Sequence, residues 1–173
     1  NGGSIYISDS EDLTVGTVGP IVVDRIGMDS TTTPQQGVTL VGAVATESVK
    51  IEAASDLTTT SLVYAAGNDV LLDAIAGDLT LSALVNAADD ISLLAQSNII
   101  QNAEGDVTAV AGSVDAEATV GSITMADGAE TDAGGNIRYL AAENVVLGRL
   151  DSDADIRVEA TAGAITDAGD ANG

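Results

Sequence analysis

The residues best suited to chemistry in this 173-residue chain are carboxylates, and one short run of them has the spacing of a calcium loop. Asp151, Asp153 and Asp155 stand at alternate positions, as the first oxygen ligands of such a loop do. The EF-hand also requires a glycine at its sixth position and a glutamate at its twelfth, where this chain has Ile156 and Ala162. The run is therefore not an EF-hand, and two interpretations stay open: a looser calcium site, or a solvated acidic turn.

Composition excludes several other kinds of chemistry. The chain has no Cys and no His, so it lacks disulfides, thiolate metal sites and the commonest general base. Its 5 basic and 27 acidic residues give a formal net charge of −22, which argues against binding nucleic acid or inserting into an anionic membrane. We expect a protein that is not an enzyme, has no catalytic residue and requires no cofactor, with Ca²⁺ as the one candidate ion.

The elements that must position these side chains repeat about every 21 residues. Val70, Leu72 and Ala74 alternate with outward positions, which is the period of a β-strand. A second alternating run opens at Leu79, and the whole pattern returns at Ile91, 21 residues after Val70. A unit of this length, made of short strands with Gly or Asp corners, is one coil of a β-solenoid.

Extended along the chain, the pattern predicts an all-β parallel β-solenoid (β-helix) of about eight coils, as a single domain over residues 1–173. At about 4.8 Å per coil, the rod would be roughly 38 Å long. The first strands are predicted to begin at Ile5, Ile21, Val49, Val70, Ile91, Val114, Ile137 and Ile156. The second strands are predicted to begin at Leu13, Val38, Leu57, Leu79, Ile99, Ile123, Val145 and Ile165.

Two further columns support this alignment. Alanine occupies the third inward position of the first strand in six coils, where a small residue allows a tight corner, and Asp9 and Arg25 replace it in the first two. Several coils also have an apolar residue five positions after the start of the second strand, which predicts a third side: Val18, Leu62, Leu84 and Leu150.

Asp, Asn or Ser precedes most of these strands, and such side chains commonly bond the local backbone in turns. In neighbouring coils, Asp56 would lie beside Asp78 and Asp69 beside Asp90. Stacked carboxylates repel, so we expect calcium or high salt to tighten the rod.

One segment breaks the periodicity. Residues 27–37 are rich in turn formers and are predicted to form a surface loop. Two interpretations are open for this loop: it binds a partner, or it is a tolerated insertion.

The two ends of the chain match each other in spacing. Read across the join, Ile165 to Ile5 is 13 residues, Ile5 to Leu13 is 8 and Leu13 to Val18 is 5. The internal steps from Ile123 through residues 137, 145 and 150 are 14, 8 and 5. This predicts head-to-tail continuation, in a tandem repeat or between copies, through an interface of six apolar residues: Ile5, Ile7, Leu13, Ile156, Val158 and Ile165.

Three phrases resemble repeats of large bacterial surface proteins of the filamentous-haemagglutinin type: SNIIQNAEGDVT from Ser97, GSITMADG from Gly121 and AGAITDA from Ala162. The resemblance covers most of the chain from Val49 onward. It implies a right-handed parallel β-solenoid, secretion to the cell surface, and a role as an adhesin stalk or surface filament.

Together these features predict a structural, adhesive segment of a secreted bacterial surface fibre, with copies of itself and a host or matrix receptor as partners. The alternative is a carbohydrate-active or carbohydrate-binding β-helix, with a groove beside the 27–37 loop as its site. Enzymes of that kind need a basic residue clustered among acids. Arg138 and Arg157 instead fall at equivalent places in adjacent coils, and are predicted to pair with acids such as Glu159.

Overall fold

The fold was taken from a computed structural model, which describes residues 3–19, 22–26, 32–36 and 40–169. Those residues form short β-strands joined by tight corners, and they include no helix long and apolar enough to cross a membrane. In chain order the strands are β1 (Ile5–Asp9), β2 (Leu13–Val15), β3 (Thr17–Val18), β4 (Val22–Ile26), β5 (Thr32–Gln36), β6 (Leu40–Val41), β7 (Ala43–Ala45), β8 (Val49–Ala53), β9 (Leu57–Thr59), β10 (Val63–Ala65), β11 (Val70–Ala74), β12 (Leu79–Leu81), β13 (Val85–Ala87), β14 (Ile91–Ala95), β15 (Ile99–Gln101), β16 (Val107–Ala109), β17 (Val114–Ala118), β18 (Ile123–Met125), β19 (Glu130–Ala133), β20 (Ile137–Ala141), β21 (Val145–Leu147), β22 (Arg149–Ser152), β23 (Ile156–Ala160) and β24 (Ile165–Asp167).

Three parallel sheets make up the sides of a β-solenoid of about six turns. The first sheet has seven strands in the order β1-β8-β11-β14-β17-β20-β23. The second sheet has seven in the order β2-β9-β12-β15-β18-β21-β24, and the third has six in the order β7-β10-β13-β16-β19-β22. The prediction of an all-β parallel solenoid is confirmed.

The core consists of inward side chains stacked along the axis. In β8, β11, β14, β17 and β20 the first, third and fifth residues are buried, because successive strand residues point to opposite faces. The predicted stack is confirmed: Val49 pairs in register with Val70, and the column continues through Ile91, Val114 and Ile137. The alanine column is confirmed as well, since Ala53 to Ala160 are paired in register from coil to coil.

The first 48 residues depart from the eight-coil prediction. β1 pairs directly with β8, so that Ile5 lies opposite Val49 with no coil between them. The predicted strand starts Ile21 and Val38 lie outside the described residues. Between them, β4 and β5 pair with each other in antiparallel fashion, and β3 pairs with β6 in the same way. The segment is a hairpin insertion in the first coil, because local alternation specifies a strand but not its partner.

The predicted surface loop at 27–37 is part of this hairpin. Residues 32–36 are strand β5, while residues 27–31 and 37 lie outside the described residues. Arg25 lies in β4 and is therefore not in the first sheet.

The third side is also shifted by one residue from its prediction. β10 and β13 begin at Val63 and Val85, so Leu62 and Leu84 precede these strands as corner residues. Of the other two predicted residues, Leu150 packs against the core from β22, whereas Val18 is exposed in the hairpin. The inward period begins only after the chain has turned, which a fixed offset from the second strand cannot show.

A polar cluster interrupts the apolar core. The Tyr139 hydroxyl lies 2.7 Å from the Thr131 hydroxyl and donates to Gln101 Oε1 at 3.2 Å. Gln101 Nε2 donates to the carbonyl of Glu130 at 2.8 Å. All three side chains are buried, so the cluster ties three successive coils together where water cannot compete.

Candidate functional site

Two columns of polar side chains run along the corners of the rod, and we call them the corner ladders. Each rung is a hydrogen bond between neighbouring coils: the backbone N–H of one corner residue donates to the side chain of the equivalent residue one coil earlier. In the second ladder, Asp78 N–H donates to Asp56 Oδ1 at 2.8 Å and Asn98 N–H to Asp78 Oδ1 at 2.9 Å. The ladder before the first sheet contains Ser4, Ser48, Asp69, Asp90, Ser113, Asn136 and Asp155, and the ladder before the second contains Asp12, Asp56, Asp78, Asn98, Ser122 and Asn144.

The sequence predicted these residue types as turn formers that bond their own backbone, and the structure corrects their partner. In the rungs the acceptor is about 20 residues away in sequence, as between Asp78 and Asn98. The N–H groups at these corners are the ones that a sheet ladder leaves unpaired, so the side chain satisfies them. At the first coil, the backbone N–H of Asp56 and the Ser55 side chain hold the pKa of Asp12 below its usual value.

The three candidate calcium ligands lie on two different parts of the surface. Asp151 and Asp153 line a depression on the third sheet together with Asp132. Asp151 is also paired with Arg149 at 2.5 Å, and Asp155 belongs to a corner ladder, where its N–H donates to Asn136 Oδ1 at 3.1 Å. Within the described part of the chain, no three acidic side chains are arranged to hold a metal ion. The calcium site stays a prediction.

The six residues of the predicted assembly interface lie in the outermost coils. Ile5, Ile7 and Leu13 are on β1 and β2, which are the last strands of their sheets at one end. Ile156, Val158 and Ile165 are on β23 and β24 at the other end. Ile156 is 46% exposed and Ile165 is 50% exposed, although both positions are buried in the coils before them.

The outward face of the first sheet carries three of the five basic residues. Arg138 pairs with Asp115 at 2.7 Å and with Glu117 at 2.7 Å, and these two carboxylates raise its pKa. Arg157 stacks on Arg138 in register and pairs with Glu159 at 2.6 Å, as the sequence predicts.

At the other end of this face, Lys50 takes part in a small cluster. Its ammonium group lies 2.8 Å from Glu52 and 5.2 Å from the centre of the Tyr6 ring. The Tyr6 hydroxyl donates to Glu52 at 2.7 Å. Most charges on this face are thus paired.

Asp73 is the exception on this face. Its carboxylate is partly buried and has no hydrogen bond or ion pair with any residue that the structure describes. Burial, and secondarily the charge of Glu52, raise the pKa of Asp73 above its usual value. Asp73 lines a groove of about 390 Å³ with Ile75, Leu94 and Glu117.

A second depression continues this groove along the axis. The two share Glu117 and Thr119, and the second extends past Leu140 to Thr161. We call the whole feature the axial groove. Its floor includes Ala95 and Ala118, so the alanine column that allows the corner also keeps the groove open. The sequence analysis did not identify it, although the fourth residues of the first strands carried the signal.

Replacement of Asp73 by Asn is expected to raise the melting temperature at neutral pH. A carboxyl group whose pKa is raised on folding favours the folded state only below its unfolded pKa, and that contribution is lost as the pH rises through the folded pKa. The gain in Asp73→Asn should therefore be present at pH 7 and vanish below the usual pKa of 3.8. Thermal melts of both proteins over that range measure it; a gain that is equal at every pH would contradict the burial argument.

Comparison of the chain with protein-family models, with curated proteins and with solved structures returned no significant match.

Proposed function

We propose that this chain is a structural, adhesive segment of a secreted bacterial surface fibre or giant adhesin stalk. The observation that carries the proposal is the continuity of the hydrogen-bonded columns, since the sheets and both corner ladders run parallel to the axis through successive coils. Tension along the axis would be shared by every backbone ladder at once. The −22 net charge would keep neighbouring rods apart.

The proposal includes head-to-tail continuation through the ends of the rod. Edge strands of a sheet present unpaired N–H and C=O groups, and the two end coils add exposed apolar residues to these edges. The steps of 13, 8 and 5 residues across the join would place the strands of a following copy in register with Ile156 and Ile165. Such a contact joins two different surfaces, so it propagates as a filament. It can be covalent, as a tandem repeat, or formed between subunits.

Association of the purified chain tests this. We expect concentration-dependent linear oligomers in analytical ultracentrifugation and filaments in electron micrographs. The double variant Ile156→Lys/Ile165→Lys should remain monomeric while keeping its β-sheet circular dichroism, because it places two charges on the edge that docks. The control is Val110→Lys, at a side position that is 63% exposed. Equal oligomerisation of the wild-type chain and the double variant, or a chain that is monomeric at all concentrations, would contradict head-to-tail docking.

Finer points of the proposal come from the sequence. They are a right-handed path with the predicted coil repeat, a location outside the cell, a host or matrix receptor, and calcium at Asp151, Asp153 and Asp155. The carbohydrate-active or carbohydrate-binding alternative stays a prediction from the sequence.

A further inference from the structure

The fourth residue of each first-sheet strand points outward along one wall of the axial groove, and acids alternate with leucines there. In register, Asp73 lies beside Leu94, Leu94 beside Glu117, Glu117 beside Leu140, and Leu140 beside Glu159. Neighbouring strands are about 4.8 Å apart, so successive acids are about 9.6 Å apart, with an apolar contact between each pair.

Asp73 is the site in this column that needs a cation. Glu159 is paired with Arg157, and Glu117 shares Arg138 with Asp115. Asp73 is partly buried beside Ile75, whose side chain is 53% exposed, and a carboxylate in such a place gains from a cationic partner. A lysine or arginine fits both features, because its charged group can bond the carboxylate while its aliphatic stem packs on the isoleucine.

The spacing along the groove selects the backbone of the partner. A polyproline II helix rises about 3.1 Å per residue with three residues per turn, so every third side chain lies on one face about 9.3 Å apart. That repeat matches the two-coil spacing of the acids. In a β-strand the side chains of one face recur at about 6.6 Å, which matches neither one coil nor two. Four coil steps, about 19 Å, would accommodate about seven polyproline II residues.

We propose that the axial groove binds a basic, proline-rich segment of a partner protein in the polyproline II conformation, with a lysine or arginine at every third residue. One basic side chain bonds Asp73 and packs on Ile75. The next lies near Glu117, whose cluster with Asp115 and Arg138 retains one excess negative charge. The intervening prolines contact Leu94 and Leu140. This inference concerns the side of the rod and does not depend on the ends.

Two synthetic peptides of equal composition test the proposal. One is acetylated and amidated (Lys-Pro-Pro)3, and the other has the same three lysines at every second position followed by the remaining prolines. Titration calorimetry with the whole chain at physiological ionic strength limits the attraction that any cation has for an acidic protein. We expect the first peptide to bind about fivefold more tightly or better, which is roughly 1 kcal/mol.

Matched variants locate the contact. Asp73→Asn should weaken binding of (Lys-Pro-Pro)3 about fivefold to tenfold, by loss of one partly buried ion pair. Asp132→Asn removes the same charge from the third sheet and should change the affinity less than about twofold. Ile75→Ser should weaken binding and Val110→Ser, at another exposed corner position, should not. Equal affinity for the two peptides, equal weakening by the two Asn variants, or no binding at millimolar peptide would overturn the proposal.

Discussion

Gly121→Ala is expected to destabilise the fold by about 2 to 3 kcal/mol, although it adds a single methyl group. Gly121 lies at a corner where it donates its N–H to the carbonyl of Ser97 in the previous coil at 3.1 Å. A Cβ at this position would lie 2.5 Å from that carbonyl oxygen and 2.8 Å from its carbon. Because these are backbone atoms, the two coils would have to move apart.

The damage should extend to the neighbouring rung of the corner ladder. Ser122 N–H donates to Asn98 Oδ1 at 2.9 Å, and the added methyl would also contact that oxygen. Chemical denaturation measures the loss, with Gly19→Ala as the control, because no heavy atom lies within 4 Å of a Cβ there. If the two variants are equally stable, the close approach of the coils at this corner is not what the glycine provides.

Tyr139→Phe is expected to cost about 1 to 3 kcal/mol of unfolding free energy. The variant keeps the ring and its packing but removes the hydroxyl that bonds Thr131 and Gln101. Both partners are buried, so water cannot replace the lost hydrogen bonds. Denaturant unfolding gives the value, and Tyr64→Phe, in the outward position of β10, is the matched control. A loss no larger than that of the control would show that the polar cluster contributes little.

The same tyrosine gives the folded state an alkaline limit. Burial raises the pKa of Tyr139 to about 12 from its ordinary value of 10.0. The unfolded chain therefore loses this proton at lower pH than the folded chain does. The resulting stability is fully present below pH 10 and is lost as the pH rises towards 12, by roughly 2 to 3 kcal/mol.

A variant with a single phenol isolates this titration. In the Tyr6→Phe/Tyr64→Phe protein, Tyr139 is the one tyrosine left of three, and the near-ultraviolet absorbance of tyrosinate should rise with a midpoint close to pH 12. A midpoint near pH 10 in the folded protein would mean that the hydroxyl is accessible to water.

The sequence by itself determined where the strands of the first and second sheets begin from Val49 onward. Each predicted start from Val49 to Ile165 coincides with the first residue of a strand. The reason is physical: a coil buries its apolar residues only if they recur with period two inside the strand and at a nearly constant step between coils. The alanine column followed from the same constraint, since one corner of every coil leaves no room for a larger side chain.

The tertiary structure decided the partners. A short run such as Val22–Ile26 alternates in the same way whether it pairs in parallel with a coil or in antiparallel fashion with Thr32–Gln36, so the hairpin could not be told from a coil. Asp78 could be recognised as a corner residue, but its bonds run to Asp56 and Asn98 in the adjacent coils. The axial groove likewise exists only where strands from different coils lie side by side. Local pattern determines which face a residue takes, and only the stacking of distant segments determines what that face meets.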